Sequence, residues 1–216
     1  MIPTRRPRVL LADDHLLVAE ALKSLLAPEF DLVGVVEDGR ALVEAARKLR
    51  PDVIVADVSM PHLNGIEALI QLRQSGDRVP VVFLTMHRDA TFARRALDAG
   101  ASGFVLKHSA PAELIVAIRA ALEGSTYLTP QLAGEVLEGM KQAPTKADNP
   151  LGSLTPRQRE VLQLLAEGHS AKEIASDLSI SARTVEFHKY QVMETLGIRT
   201  NAELIHFAIK HGLVEL

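Results

Sequence analysis

Along the first half of the chain, short apolar runs alternate with longer amphipathic stretches. The runs are Arg8–Ala12, Asp31–Val36, Asp52–Ala56, Val79–Leu84 and Gly103–Leu106, and helix-period segments follow them near 15–27, 39–49, 65–75, 90–99 and 111–123. The runs are nearly continuous in Val, Ile and Leu, as in strands buried on both faces, and parallel strands need a crossover helix between them. This predicts an α/β domain: a five-stranded parallel sheet covered by helices on both sides.

Residues 125–150 break the pattern. A short helix over Gln131–Lys141 leads into Ala143-Pro-Thr-Lys-Ala-Asp-Asn-Pro150, which has no periodicity and reads as a linker. Beyond it the strand pattern disappears. Thr155-Pro-Arg-Gln158, Ser170-Ala-Lys-Glu173 and Thr200-Asn-Ala-Glu203 each place Ser or Thr three residues before Glu or Gln, the signature of a capping box. A further helix starts near Ser181, and Gly168, Gly197 and Gly212 stand where helices should stop. The expected organisation is an α/β domain over 1–124, a linker over 125–150 and an all-α domain of four helices over 151–216.

Composition narrows the function classes. The 216 residues contain no cysteine, which excludes disulfides, thiol catalysis and cysteine-ligated zinc. The eight histidines have no metal-site spacing; His188, for example, has no partner four residues on. No apolar run is long enough to cross a bilayer, and the N-terminus lacks a signal-peptide apolar region, so the chain reads as soluble and cytoplasmic with no membrane partner. The net charge is -3 and no region is strongly basic, so any nucleic-acid binding must rest on a local patch.

The candidate chemistry sits at the strand ends: Asp13 and Asp14, then Asp57, then Thr85, then Lys107. In an open parallel sheet the carboxyl ends of the strands converge on one crevice. Three carboxylates there suit a hard divalent cation, the cation and an ammonium share the charge of a phosphoryl group, and one carboxylate is left as nucleophile.

These motifs, Val9-Leu-Leu-Ala-Asp13-Asp14-His15, Asp57-Val-Ser-Met60-Pro61-His-Leu-Asn-Gly65, Leu84-Thr85-Met86 and Gly103-Phe104-Val-Leu-Lys107, resemble in order and spacing the receiver domain of bacterial response regulators. The resemblance covers about residues 7–123. It implies a doubly wound five-stranded domain in which Asp57 takes a phosphoryl group from the phosphohistidine of a sensor histidine kinase. It also implies Mg²⁺ held by Asp13, Asp14, Asp57 and the backbone carbonyl of Ser59, Lys107 paired with phosphoryl oxygens, and Thr85 donating a hydrogen bond to one of them. Phe104 stands at the family's aromatic switch position, where Tyr is common; the alternative for the same ring is a core aromatic. Ser59 and His87 stand where the family tunes phosphoryl lifetime. A dehalogenase-type phosphatase shares the nucleophile, cation and lysine but needs a second Asp two residues after the first, where this chain has Ser59, and an inserted cap. An independent enzyme is therefore not expected.

The C-terminal motifs Leu154-Thr-Pro-Arg-Gln-Arg-Glu160-Val-Leu162, Gly168-His-Ser-Ala-Lys-Glu173-Ile-Ala175, Ser181-Ala-Arg-Thr184-Val185-Glu-Phe-His188 and Met193-Glu-Thr-Leu196-Gly197-Ile198 resemble the LuxR-type helix-turn-helix of NarL/FixJ response regulators. The residues agree with it. Ile174, Ala175 and Leu178 make one apolar face, Ser179-Ile180 a tight turn, and Val185, His188, Val192 and Leu196 an inward stripe. The outward set, Arg183, Thr184, Glu186, Phe187, Lys189 and Tyr190, together with Lys172, is the candidate reader of double-stranded promoter DNA. Packing against another domain or subunit is the competing role for Phe187 and Tyr190. The apolar last helix, about Thr200–His211, resembles the family's dimerisation helix, so a homodimer on DNA is expected, with RNA polymerase as a further partner. Two other classes stay open: a regulator that works without phosphorylation, and a protein-interaction output without DNA binding.

Overall fold

The computed structural model describes residues 5–86, 90–141 and 150–214. The chain divides into two compact units, the first running to Gln142 and the second from Ala143. His87 and residues 142–149 of the linker lie outside the described residues.

The first unit alternates strand and helix: β1 (Arg8–Ala12), α1 (Leu16–Leu26), β2 (Asp31–Val36), α2 (Gly39–Leu49), β3 (Val53–Asp57), α3 (Gly65–Gln74), β4 (Val81–Thr85), α4 (Ala90–Asp98), β5 (Gly103–Leu106), α5 (Ala110–Leu122), β6 (Tyr127–Leu128) and α6 (Pro130–Lys141). All pairings are parallel, in the order β2-β1-β3-β4-β5-β6. Strand residues alternate between faces. Val9, Leu11, Val53, Val55, Val82, Leu84 and Val105 meet α1 and α5 through Ala19, Leu22, Leu26, Leu114, Ala117 and Ile118. The other face, with Leu10, Ile54, Phe83 and Phe104 fully buried, is covered by α2, α3 and α4. Burial on both faces is what the unbroken apolar runs required.

The sheet has six strands where the apolar pattern predicts five. β6 is only two residues long, too short for any periodicity, and backbone groups and one hydroxyl hold it in place. Tyr127 N donates to Ser102 O, Thr129 N donates to Phe104 O, and Leu106 N donates to Thr129 Oγ1 at 3.2 Å. Thr129, fully buried, in turn donates to Glu113 Oε2 of α5. The following α6 belongs to the first unit and packs along α4.

The second unit contains α7 (Pro156–Ala166), α8 (Ala171–Asp177), α9 (Ala182–Leu196) and α10 (Asn201–Lys210), after a short 3-10 turn at Pro150–Ser153. All three predicted capping boxes form, at Thr155/Gln158, Ser170/Glu173 and Thr200/Glu203, each satisfying two otherwise orphaned N–H groups. The Ser181 hydroxyl caps α9, and Gly197 ends it in the left-handed region. The turn between α8 and α9 carries Ser179 at φ 53. Two small cores result. Val161, Leu164, Ile174, Ala175, Leu178 and Val185 lock α7, α8 and α9 together; Leu162, Val192, Leu204, Ala208 and Leu213 join α7, α9 and α10. Arg157 reinforces the first by donating to Leu178 O at 2.6 Å while pairing with Glu160.

Candidate functional site

The register of the sheet explains why distant residues converge. Ala12 pairs with Ala56, so Asp13 and Asp57 emerge side by side at the ends of β1 and β3. Asp57 pairs with Leu84 and Thr85 with Leu106, which brings Thr85 and Lys107 to the same edge within one residue. Because β2 and β3 flank β1 on opposite sides, the connecting helices diverge there and leave a crevice.

Within that crevice Lys107 Nζ lies 2.5 Å from Asp57 Oδ2 and 2.9 Å from Asp13 Oδ2. Ser59 N approaches Asp57 Oδ1 at 3.4 Å. Asp13 and Asp57 are buried, and Asp14 is exposed. Burial pushes the Asp57 carboxyl up to about 6, against the pull of Lys107. For Lys107, burial works against the charge, but Asp57 and Asp13 outweigh it and hold the ammonium above its ordinary value. One ammonium faces three carboxylates, so the cluster carries surplus negative charge partly out of water. The carboxylates lie within bonding reach of one ion, and the donor set is the hard-oxygen kind that a divalent cation takes.

The loop after Asp57 is tight. Gly65 N donates to Val58 O, and a Cβ at Gly65 would stand 2.1 Å from Asp57 O. Only glycine allows α3 to begin this close to the strand. Asn64 caps that helix, accepting from Glu67 N. Thr85 ends β4 and is fully buried, as is Phe104, which pairs in register with Phe83 inside the sheet.

In the second unit Val185 and Val192 face inward, with His188 and Leu196 half-buried. Burial and the nearby Arg157 lower the His188 pKa. Arg183, Glu186, Phe187 and Tyr190 are exposed on α9, and Lys172 is exposed on α8. Phe187 and Tyr190 are 60% and 70% accessible, high for aromatics that nothing requires at the surface. Lys189 is half-buried and 4.0 Å from Glu186. Thr184 differs from the rest: its hydroxyl bonds Ser181 at 2.8 Å, so it also serves the helix start.

Two features escape a reading by motif. His15 closes on the acidic cluster, its Nδ1 2.8 Å from Asp14 Oδ1. Leu16, Leu17 and Met86 are exposed, and Leu17 and Met86 join Val18, Ala21, Leu25 and Pro111 in an apolar groove that reaches Lys107. The available signal was the pair of leucines at the start of α1, outside the stripe formed by Ala19, Leu22 and Leu26.

An α/β unit with a lysine-bridged acidic cluster at its strand ends, followed by a helix-turn-helix unit with an exposed recognition helix, defines a signal-receiving DNA-binding regulator. Residues 9–119 match the response regulator receiver domain, and residues 152–208 match the luxR family of bacterial regulatory proteins. The response regulator GacA of Pseudomonas aeruginosa is 33% identical over 210 residues, covering 96% of this chain and 98% of that protein. UvrY of Escherichia coli is 32% identical over 207 residues, covering 95% and 94%. Among solved structures, RcsB of Salmonella typhimurium superposes with a TM-score of 0.64 at 28% identity, covering 97% of this chain and all of that one. A structure of two RcsB dimers bound to two parallel DNAs gives 0.60 at 27% identity, covering 96% and 99%. The chain belongs to the NarL/FixJ-type response regulators, with a receiver domain joined to a LuxR-type helix-turn-helix domain, and it is a DNA-binding transcription regulator.

Proposed function

We propose that Asp57 accepts a phosphoryl group from the phosphohistidine of a sensor histidine kinase, and that this modification controls binding of residues 151–216 to promoter DNA. The observation that carries the reading is the Asp57 carboxylate, buried at a strand end beside Asp13 and held by Lys107. An Asp57 oxygen attacks phosphorus, the P–N bond breaks, and its electron pair returns to the imidazole ring of the kinase. Asp13, Asp14, Asp57 and the Ser59 carbonyl hold Mg²⁺, which when bound screens the repulsion between the carboxylates and the incoming phosphoryl group.

Lys107 then follows the charge from carboxylate to phosphoryl oxygens, and Thr85 donates a hydrogen bond to one of them. The aspartyl phosphate adds nearly two negative charges at a site that already has a surplus. Movement of Thr85 toward it, with Phe104 repacking behind, carries the change outward through residues 1–124 and across the segment 125–150. The apolar groove beside Lys107 receives the kinase, because a partner that delivers a phosphoryl group to Asp57 must rest against the rim of the same crevice.

On DNA, α9 enters the major groove. Arg183, Lys189 and Lys172 meet phosphates or guanine edges, Glu186 accepts from cytosine N4, Phe187 touches a thymine methyl, and Thr184 and Tyr190 flank them. Two chains bind together on inverted half-sites, in the cytoplasm and within reach of RNA polymerase; the similar RcsB binds DNA as dimers.

Intact mass after incubation with Mg²⁺ and acetyl phosphate, on wild type and Asp57→Ala, with DNA selection on both, tests the reading. A single phosphoryl adduct that requires Asp57 and tightens binding supports it. Sequence-specific binding without any adduct replaces it with a phosphorylation-independent regulator.

A further inference from the structure

We propose that Thr129 is a positioning residue for phosphoryl transfer at Asp57: its hydroxyl fastens both ends of the segment that carries Lys107 and so holds the ammonium against the carboxylate. The inference rests on the reading that Asp57 accepts the phosphoryl group and that Lys107 serves it.

Lys107 stands between Leu106, the last residue of β5, and Ala110, the first of α5, in a single 3-10 turn over Lys107–Ser109. Such a turn is short and its hydrogen bonds are poorly aligned. Holding a long side chain 2.5 Å from Asp57 Oδ2 and 2.9 Å from Asp13 Oδ2 therefore needs anchors on either side of it. Thr129 supplies both. Its Oγ1 accepts from Leu106 N at 3.2 Å, one residue before the lysine, and donates to Glu113 Oε2 at 2.6 Å, in the first turn of α5. Thr129 is fully buried, so water does not compete for either bond.

The ladder shows what the hydroxyl replaces. Thr129 N donates to Phe104 O at 3.0 Å, and in a parallel ladder that ran on, Leu106 N would bond the Thr129 carbonyl. That carbonyl instead accepts from Leu132 N at 2.9 Å as α6 begins, and the hydroxyl takes its place on β5. Valine has nearly the same shape but cannot make this rung, and it would strip a buried N–H of its partner directly beside the lysine.

Other bonds hold β6 without bearing on Lys107. Tyr127 N donates to Ser102 O at 3.1 Å, and the Tyr127 hydroxyl donates to the Glu113 carboxylate. Removing that hydroxyl loosens β6 but keeps both bonds of Thr129, which separates positioning from support of the strand. The position matters to the rate because negative charge shifts on the phosphoryl oxygens as Asp57 attacks, and an ammonium already in place meets it without rearrangement.

The rate of Asp57 phosphorylation by acetyl phosphate with saturating Mg²⁺, followed by intact mass on the full chain, tests the proposal; an Asp57 oxygen attacks phosphorus, the bond from phosphorus to the acetyl oxygen breaks, and acetate leaves with the electron pair. Circular dichroism checks that each variant is folded. Thr129→Val should slow the reaction about tenfold or more, as a displacement of under about 1 Å in a pre-set group does. Thr129→Ser, which keeps the hydroxyl, should restore the rate to within about threefold of wild type, and Tyr127→Phe should stay within about twofold. In a Lys107→Met background Thr129→Val should cost less than about a further twofold, because a residue that acts through another is not additive with it. If Thr129→Val does not fold, Glu113→Ala, which frees the hydroxyl from α5, takes its place beside Tyr127→Phe and in the Lys107→Met background. A wild-type rate in Thr129→Val, an equal loss in Tyr127→Phe, or a full further loss in the Lys107→Met background overturns the proposal while leaving the Asp57 reading standing. If wild type forms no adduct that Asp57→Ala abolishes, that reading itself fails, and the proposal with it.

Discussion

At Asp57, the proposed phosphoryl acceptor, two requirements oppose each other. A nucleophile must be ionised, yet the strand end that aims it also buries it. The carboxyl titrates near 3.8 in the unfolded chain and at about 6 in the fold. The penalty is absent while the group is protonated in both states and complete once it is ionised in both, so this contribution to stability falls as pH rises from about 4 to about 6. Without divalent cation, Asp57→Asn should raise stability at neutral pH by roughly 1–3 kcal/mol, and the gain should shrink toward zero near pH 4. Urea unfolding across that range measures it. Added Mg²⁺ should narrow the difference by binding the folded wild type. Gly65 shows the opposite constraint, where nothing larger than hydrogen fits. Gly65→Ala should cost roughly 1–3 kcal/mol and slow phosphorylation from acetyl phosphate, because relieving the contact displaces Asp57 or the start of α3. The polar residues of this site were legible in the sequence. The need for Gly65 was visible only as a turn signal, since its cause is a backbone oxygen across the loop.

Helix starts dominate at the scale of elements. Glu173 and Glu203 each accept backbone N–H bonds at their own helix N-terminus, which holds both carboxyls below the ordinary value of 4.5. A depressed folded pKa stabilises above the unfolded value, and that contribution is lost as pH falls through the folded one. Glu173→Gln keeps the shape of the box without its charge, as Gln158 already does beside Thr155. Wild type should therefore melt higher than Glu173→Gln at neutral pH, with the gap closing as pH drops below about 4.5. Thermal melts followed by circular dichroism show whether it does. On α9 the buried stripe and the exposed face are separate, so Arg183→Ala should weaken DNA binding by about 1–3 kcal/mol without altering phosphorylation of Asp57. Glu186→Ala should instead relax base preference, and an unchanged preference in a selection assay would remove its readout role. The capping boxes were readable because each lies within four consecutive residues. β6 was not, because two residues carry no period and their pairing depends on Thr129 meeting β5 and Glu113.

Across the whole molecule, the groove between α1 and α5 separates chemistry from recognition. Acetyl phosphate needs only the crevice, whereas a protein donor needs a surface to rest on. Leu17→Arg should leave modification by acetyl phosphate unchanged and reduce transfer from a partner kinase about tenfold or more, the loss expected when an apolar anchor at an interface becomes a charge. Equal rates for both donors, compared with wild type, would move the kinase to another face.

The sequence alone determined the βα alternation, the change to an all-helical second half, the helix starts and stops, and the family, because periods, caps and motifs are carried by neighbouring residues. The tertiary structure decided what depends on register between strands. It brought Asp13, Asp57 and Lys107 into one ion-paired cluster, closed His15 onto it, added a sixth strand through Thr129, and opened an apolar groove at its rim. These contacts join residues up to about a hundred positions apart or turn on which way a side chain points, and no local pattern encodes either.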